Sequence, residues 1–236
     1  MGKLKKAKFF YGHVIVAASF AIQWISIGTF FTFGIFFKPL LDEFGWSRAM
    51  ISGASSVTMV FVGFVGIFAG RLNDRFGPRL IMVISGLFLG GGYLLMSQLQ
   101  APWQLYLFLG VIIGTGMASH DVVTLSTVAR WFVRKRGMMT GIVKVGTGAG
   151  QMMVPLIATA LIVACDWRNS YLIIGATALL LFVLVSLLFR RDPQRMGLLP
   201  DGADRAVSTV AAPAESGLLL REVIRTRQFW TICLAY

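Results

Sequence analysis

The chain has 236 residues, of which 56 % are hydrophobic and only 14 % are charged, and its mean hydropathy is +0.75. A soluble domain carries roughly 25 % charged residues, so this composition argues against a soluble protein and therefore against a soluble enzyme. The net charge of +12 is also typical of nucleic-acid-binding proteins, but the basic residues here border apolar segments, which argues against that function.

Six apolar segments are each about 20 residues long or longer, which at 1.5 Å per residue is enough to cross a hydrocarbon core ~30 Å thick. The predicted helices cover Tyr11–Phe37, Arg48–Gly70, Leu80–Gln98, Trp103–Ala129, Gly137–Cys165 and Asn169–Phe189. The predicted short connections on one side of the membrane are Lys38–Ser47, Leu99–Pro102 and Asp166–Arg168. The predicted fold is therefore an all-α integral membrane protein with a six-helix bundle over residues 1–189.

The residues after the sixth helix differ in composition. Residues 190–227 are rich in Arg, Pro, Gly, Ala and Ser, which predicts a cytoplasmic linker with a short amphipathic helix near Leu218–Ile224. Residues 228–236 have the composition of the start of a seventh membrane helix. We expect that the chain is truncated within this helix and is inactive alone.

Basic residues cluster at alternate ends of the predicted helices. Four precede the first helix, three lie between the second and third, four between the fourth and fifth, and seven follow the sixth. If six helices alternate, these 18 of the 22 basic residues share one side, and only Lys38, Arg48 and Arg168 lie on the other. The positive-inside rule then predicts a multi-pass protein of the cell membrane with its amino terminus in the cytoplasm.

Cofactor and metal chemistry have no sequence signature in this chain. Cys165 and Cys233 are too few and too far apart for a disulfide framework or a metal site. The sequence also has no Gly-x-x-x-x-Gly-Lys-Ser/Thr loop that would hold the phosphates of ATP. We therefore expect no cofactor, no metal and no covalent catalysis.

A charged motif, Gly-x-x-x-Asp-Arg-x-Gly-x-Arg, lies between the second and third predicted helices at residues 70–79. It resembles the signature loop of the major facilitator superfamily, although Pro78 stands where an arginine is more usual. The resemblance implies a conformational latch, in which Asp74 pairs with Arg130 or Arg134 and meets the positive end of a helix from a second half. The latch residues would be Gly70, Asp74, Arg75, Gly77, Arg79, Arg130 and Arg134. The alternative is an ordinary basic cytoplasmic loop.

Two further segments extend this resemblance. Residues 130–137, Arg-Trp-Phe-Val-Arg-Lys-Arg-Gly, are similar to the loop between helices 4 and 5 of many superfamily members. Residues 33–38 and 43–49 resemble the monocarboxylate and oxalate/formate branches, which implies a small organic anion as substrate. The first helix has no central lysine like that of the animal monocarboxylate carriers, and Gly110 stands where many drug antiporters have an arginine.

The resemblance implies secondary active transport by alternating access, with two six-helix halves flanking one central site. The implied partners are the lipid bilayer, a small solute, and protons or a counter-anion. A second six-helix half would complete the site. The alternatives are a half-transporter that dimerises and a membrane scaffold or receptor without transport activity.

Two charged residues lie inside the predicted helices. Asp121 and Lys144 are ~13 Å and ~12 Å from the inner border at helical rise, and each costs roughly 2.5–3.5 kcal/mol at a helix centre. They form either a structural ion pair or a substrate site in which Lys144 attracts a carboxylate and Asp121 is either its counter-charge or a proton carrier. Snorkelling to the lipid edge is a third alternative.

Three polar or aromatic neighbours complete the candidate substrate-binding set. His120 is adjacent to Asp121 and is of a residue type whose unperturbed side chain titrates near neutral pH. Gln23 and Trp24 interrupt the first helix near its middle. By resemblance to the superfamily, helices 1 and 4 line the central cavity. Packing and hydrogen bonds between helices are the alternative role for all three.

Overall fold

The computed structural model describes residues 10–202 and Thr226. Within these residues the chain is helical and has no β-strand. The α-helices are α1 (Gly12–Phe31), α2 (Phe33–Phe44), α3 (Arg48–Phe76), α4 (Pro78–Met96), α5 (Pro102–Leu105), α6 (Gly114–Met117), α7 (His120–Trp131) and α8 (Arg136–Ser186). A π-helical segment, Tyr106–Ile113, joins α5 to α6, and two 3-10 turns follow α8 at Pro193–Met196 and Pro200–Gly202.

In the part of the chain that the structure describes, five helical segments are long and apolar enough to cross a membrane. They are Gly12–Phe44, Arg48–Phe76, Pro78–Met96, Pro102–Trp131 and Arg136–Ser186. The six predicted helices overlap these five segments, because the predicted fifth helix and most of the sixth lie in the 51-residue α8. The predicted linker beyond Gly202, the Leu218–Ile224 helix and the start of a seventh helix lie outside the described residues.

The backbone of α8 is interrupted at Asp166, which has φ 70° and ψ 158° and is therefore not helical. Before this residue, Met139 packs in one cluster with Ile15 near the start of α1, and Gly150 lies directly against the backbone of Trp24. The first part of α8 therefore runs in the same direction as α1.

After Asp166 the chain returns along the bundle. The Trp167 indole Nε1 donates a hydrogen bond to Glu43 Oε2 at the end of α2 (2.5 Å), and the Tyr171 ring stacks on Phe36 with centroids 3.8 Å apart. At the other end of the bundle, the Tyr11 hydroxyl donates to the carbonyl of Leu188 (2.8 Å). The second part of α8 is thus antiparallel to the first.

Glu43 and Arg168 close the Asp166 end of the bundle. Arg168 Nη2 donates to Glu43 Oε1 at 2.6 Å, and Arg168 Nη1 donates to the carbonyls of Ser97 and Leu99 at 3.2 and 3.1 Å. The guanidinium also lies 4.4 Å from the centre of the Trp167 ring. These contacts join the end of α2, the turn after α4 and the second part of α8.

Two predicted helix ends are wrong. The connection predicted at Lys38–Ser47 is helical as far as Phe44, where Gly45 ends α2 in the left-handed conformation (φ 63°, ψ 17°). The second predicted helix does not end at Gly70 but continues to Phe76. A helix can continue through polar and charged residues after it emerges from the hydrocarbon core, because their side chains reach water from a helical backbone. The first charged residue therefore did not mark the end of either helix.

The fourth predicted helix, Trp103–Ala129, is not one regular helix. It consists of α5, the π-helical segment, α6 and α7, with a turn at Ala118 and Ser119. The turn starts a new helix at His120, so Asp121 lies in the first turn of α7. This interruption positions the candidate site.

Candidate functional site

The predicted polar residues come from three elements that meet in the bundle. Gln23 and Trp24 lie on α1, His120 and Asp121 begin α7, and Lys144 lies on the first part of α8. Close packing brings these elements together, because a Cβ at Gly146 of α8 would lie only 2.6 Å from the carbonyl oxygen of Phe20 in α1.

Asp121 is the centre of the cluster. Its Oδ1 accepts a hydrogen bond from Lys144 Nζ at 2.5 Å and another from Gln23 Nε2 at 2.6 Å. The partial positive charge at the start of α7 also favours an anion at this position. The Asp121 and Lys144 side chains are each 45 % exposed in the structure, so the pair faces an open side of the bundle.

Gln23 is fully buried, and hydrogen bonds at both its Nε2 and its Oε1 fix the orientation of its amide. Its Nε2 donates to Thr124 Oγ1 at 3.1 Å in addition to Asp121, and its Oε1 accepts a hydrogen bond from Thr147 Oγ1 at 3.0 Å. Thr124 and Thr147 were not predicted from the sequence as members of this site. Their spacing is the signal that could have found them, since each lies three residues after a charged member of the cluster and so on the same helix face.

His120 and Trp24 are placed differently from the charged pair. His120 is buried, its Nδ1 contacts the carbonyl of Met117, and its Nε2 lies 3.7 Å from Asp121 Oδ2. Trp24 instead lines an apolar cavity of about 110 Å³ with residues that include Thr29 and Val154. The structure therefore joins Gln23, Asp121 and Lys144 directly, with His120 beside them.

This arrangement can hold an anion. A lysine ammonium has three N–H donors, and Asp121 Oδ1 accepts one of them. Gln23 and the start of α7 stabilise the Asp121 carboxylate without using the ammonium. The exposed side of Lys144 can therefore donate to a carboxylate that approaches from the open side of the bundle.

The latch motif contains an ion pair between two spans. Arg130 Nη2 donates to Asp74 Oδ1 at 2.7 Å, and Arg130 Nη1 lies 3.9 Å from Asp192 Oδ1. Of the two arginines considered as partners of Asp74, the structure brings Arg130 to it. Arg134 instead donates its backbone N–H to Asp201 Oδ2 at 2.8 Å.

The remaining motif residues lie around a one-residue turn at Gly77. Gly77 has φ 87° and ψ 162°, a conformation essentially restricted to glycine. Arg75 lies over the Phe76 ring at 5.3 Å, and Arg79 is exposed in the first turn of α4. Gly70 is an ordinary helical residue of α3 and has no positive φ.

No group of three or more His, Cys, Asp or Glu residues that could hold a metal ion occurs in the part of the chain that the structure describes. Cys165 is exposed beside the Asp166 turn. Cys233 lies outside the described residues.

Comparison with known proteins identifies the family. Residues 19–236 match the family model of the Major Facilitator Superfamily. The chain belongs to this superfamily. As a superfamily member with several apolar helices, it is a multi-pass membrane protein.

Three relatives illustrate how far the similarity extends. Human monocarboxylate transporter 7 is 27 % identical over 186 residues, which are 78 % of this chain and 36 % of the relative. Human monocarboxylate transporter 14 is 29 % identical over 180 residues, 76 % of this chain and 35 % of the relative. The uncharacterized MFS-type transporter YhjX of Escherichia coli (strain K12) is 23 % identical over 215 residues, 91 % of this chain and 51 % of the relative. The superfamily member described here thus spans between about a third and a half of these relatives.

Proposed function

We propose that this chain forms one half of the solute pathway of a secondary active transporter for a small organic anion such as a monocarboxylate. Membership of the superfamily supports transport by alternating access, driven by protons or by exchange with a counter-anion. The names of two similar human proteins favour a monocarboxylate.

The observation that carries this proposal is the half-exposed Asp121–Lys144 pair. Ionisable groups inside membrane spans are costly and mark solute or ion pathways when they face an open cavity. Lys144 would bind the solute carboxylate, while Asp121, fixed by Gln23, would neutralise the ammonium when the site is empty. His120 and Trp24 would lie at the edges of the pathway.

A second six-helix unit would complete the pathway. The α3 side chains Val60, Phe64 and Ile67 are 68 %, 62 % and 65 % exposed, and Met152 and Leu156 of α8 are 74 % and 66 % exposed. One of these apolar faces lies on α8, which carries Lys144, and the other lies on α3, which contacts the Asp121 helix α7. Covering them with a second unit would enclose Lys144 in a central cavity.

We infer that α8 crosses the membrane twice, so that this chain contributes six crossings. Its 51 residues would extend about 76 Å as one straight helix, more than twice the ~30 Å hydrocarbon core. The reversal at Asp166 divides this length into two spans. With six crossings, the amino terminus lies on the same side as the basic connections. The positive-inside rule places that side in the cytoplasm, which supports a protein of the cell membrane with a cytoplasmic amino terminus.

The Asp74–Arg130 pair would act as a conformational latch in this transporter. It joins the end of α3 to the end of α7 on the proposed cytoplasmic face. Gly70, Arg75, Gly77, Arg79 and Arg134 belong to the same proposed latch region. A contact between this region and the second unit would stabilise the outward-facing state.

Uptake of labelled monocarboxylates into vesicles tests the role of Lys144 in a transporter that combines this chain with a second six-helix unit. Lys144→Met removes the cation but preserves much of the side-chain length, so we expect saturable uptake to be lost at normal membrane expression. Lys144→Arg retains the positive charge and is the matched control, with uptake partly retained. Unchanged uptake in Lys144→Met would remove Lys144 from the solute site.

A double variant separates the solute site from a structural ion pair. Asp121→Asn combined with Lys144→Met leaves no unpaired charge in the bilayer. A purely structural pair predicts that this variant recovers both expression and uptake. The proposed solute site predicts recovered expression without uptake.

The chain expressed alone tests the need for a second unit. We expect no saturable uptake by a monomer of this chain. Robust uptake by a monomer would contradict the proposal, whereas uptake that appears only with a crosslinked dimer would assign the second unit to another copy.

A further inference from the structure

A basic cavity lies apart from the Asp121–Lys144 pair, at the end of the bundle that carries the latch motif. It has a volume of about 410 Å³ and lies between the α3–α4 turn and the residues that follow α8. Its charged lining residues are Arg75, Arg79, Arg190, Arg191 and Asp192. Among the described residues, four guanidinium groups therefore share one cavity with a single carboxylate.

The single carboxylate does not neutralise this cavity. Asp192 Oδ2 lies 3.5 Å from Arg191 Nε, and Asp192 Oδ1 lies 3.9 Å from Arg130 Nη1. Within residues 10–202, Arg75, Arg79 and Arg190 form no ion pair with a carboxylate. All three side chains are exposed, so within the described residues the cavity presents three guanidinium groups without a carboxylate partner.

The backbone at the start of α4 adds to this positive potential. Pro78 is the first residue of α4, and no side chain caps this end of the 19-residue helix. The first N–H groups of a helix carry partial positive charge and favour anions. Pro78 and Arg79 both line the cavity, so the start of α4 and the arginines act on the same volume.

The shape and position of the cavity define the ligand further. Phe76 and Phe189 also line it and give it an apolar wall. The cavity lies where α3, α4 and α8 end, which is the level of the lipid headgroups for helices that span a bilayer. A volume in the usual range for ligand sites, about 300–1,000 Å³, accommodates a phosphate together with the organic group that it esterifies.

We propose that this cavity is a binding site for a phosphate ester, with Arg79 and Arg190 as its principal ligands and Arg75 and Arg191 as further donors. Guanidinium groups bind phosphate oxygens in a bidentate manner, and this geometry distinguishes them from lysine. The phosphate belongs either to an anionic phospholipid headgroup or to a soluble phosphate ester. Because Asp192 contacts both Arg191 and Arg130, the ligand would bind directly beside the Asp74–Arg130 pair.

Binding measurements on the purified 236-residue chain test this proposal. Fluorescent phosphatidic acid is titrated into the chain in neutral detergent, and inorganic phosphate is then added as a competitor. We expect saturable binding of the lipid and a loss of affinity of about tenfold or more in the double variant Arg79→Gln with Arg190→Gln. Arg71→Gln is the matched control, since Arg71 is an exposed arginine of α3 that does not line the cavity, and its affinity is expected to stay unchanged.

The outcomes either distinguish a lipid headgroup from a soluble phosphate ester as the ligand or overturn the proposed site. Displacement of the lipid by inorganic phosphate supports a site open to soluble phosphate esters, whereas lipid binding that resists phosphate supports a headgroup site. Absence of binding by both ligands overturns the proposal. Equal affinities of the double variant and Arg71→Gln also overturn it, because they indicate nonspecific attraction to surface charge.

A second variant keeps the test valid if the glutamine variant does not fold. Arg79→Lys combined with Arg190→Lys retains both charges but loses the bidentate geometry, so an intermediate affinity is expected. Thermal unfolding without ligand checks that each variant is folded. Wild-type affinity in the folded lysine variant would overturn the assignment of these two arginines as bidentate ligands.

Discussion

At the scale of single residues, Gln23 determines how Asp121 is presented. Its amide is fixed because Thr147 donates to Oε1, which directs Nε2 towards Asp121. Asp121 and Lys144 were predictable from the sequence, since a charge in an apolar span is costly enough to stand out. The cost of burial did not single out Thr147, because a threonine in a helix commonly satisfies its hydroxyl by bonding to a carbonyl of its own preceding turn.

The hydroxyl of Thr147 is predicted to contribute both to stability and to solute affinity. Thr147→Val preserves the shape of the side chain but leaves the buried Gln23 Oε1 without this donor, which costs about 1–3 kcal/mol. Because the amide is then held only through Nε2, by Asp121 and Thr124, KM for the solute is expected to rise more than kcat falls. Thermal unfolding and concentration-dependent uptake measure the two effects.

Thr140→Val is the control for this prediction. Thr140 lies on the same helix, but its hydroxyl donates only to the carbonyls of Arg136 and Gly137 in the preceding turn. Its removal is expected to leave KM unchanged. Equal changes in KM for the two variants would show that Thr147 does not act through Gln23.

At the scale of elements, small residues set the distance between α1 and α8. Gly150 lies against the backbone of Trp24, and Gly146 lies against the carbonyl of Phe20. Small residues allow membrane helices to approach closely, and this approach brings Lys144 and Thr147 within reach of α7 and α1. The charged cluster therefore depends on glycines that make no polar contact with it.

Gly150→Ala is predicted to destabilise the contact between α1 and α8. The added Cβ would clash with the Trp24 carbonyl oxygen and lie 2.9 Å from its Cα, and backbone atoms cannot move aside cheaply. Overpacking of this kind costs about 1–3 kcal/mol. Thermal unfolding in detergent is the measurement.

Gly148→Ala provides a control on the same helix. A Cβ at Gly148 would meet no atom within 4 Å, so this change is expected to be neutral or slightly stabilising. Equal losses of stability in the two variants would show that close packing of Gly150 against Trp24 does not cause the effect.

The locations of the spans were predictable from the sequence, whereas several of their ends were not. Hydrophobic length identifies a segment that crosses the hydrocarbon core, but a helix continues beyond that core until a specific residue ends it. Gly45 and Gly77 end α2 and α3 because they adopt positive φ. Gly70 is also a glycine, yet it remains helical, and composition alone does not distinguish these cases.

At the scale of the whole molecule, the path of α8 decides the topology. Hydropathy predicts two helices on either side of Asp166, and the structure has one helical element with a non-helical residue at that point. The contacts of Met139 and Gly150 with α1, and those of Trp167 and Tyr171 with α2, establish that the two parts run in opposite directions. The hairpin could therefore be predicted from the sequence, but its one-residue turn could not.

Labelling of Cys165 tests the proposed orientation. Cys165 is exposed next to the Asp166 turn, on the side opposite to the Asp74–Arg130 pair. A membrane-impermeant maleimide added to intact cells is expected to modify it. The reaction is measured by the mass shift of the purified protein, with Cys165→Ser as the control for reaction at Cys233. Labelling of Cys165 only after the cells are permeabilised would invert the topology and place the basic connections outside.

The single-residue turn at Gly77 has a mechanical consequence. With no slack chain between α3 and α4, an axial displacement of one helix is transmitted to the other within one peptide unit. The segment between α7 and α8 spans several residues and can absorb such a displacement. A movement of α3 along its axis would therefore move α4 as well. It would also reach the second part of α8, which packs on α4 at Gly86 and Gly90.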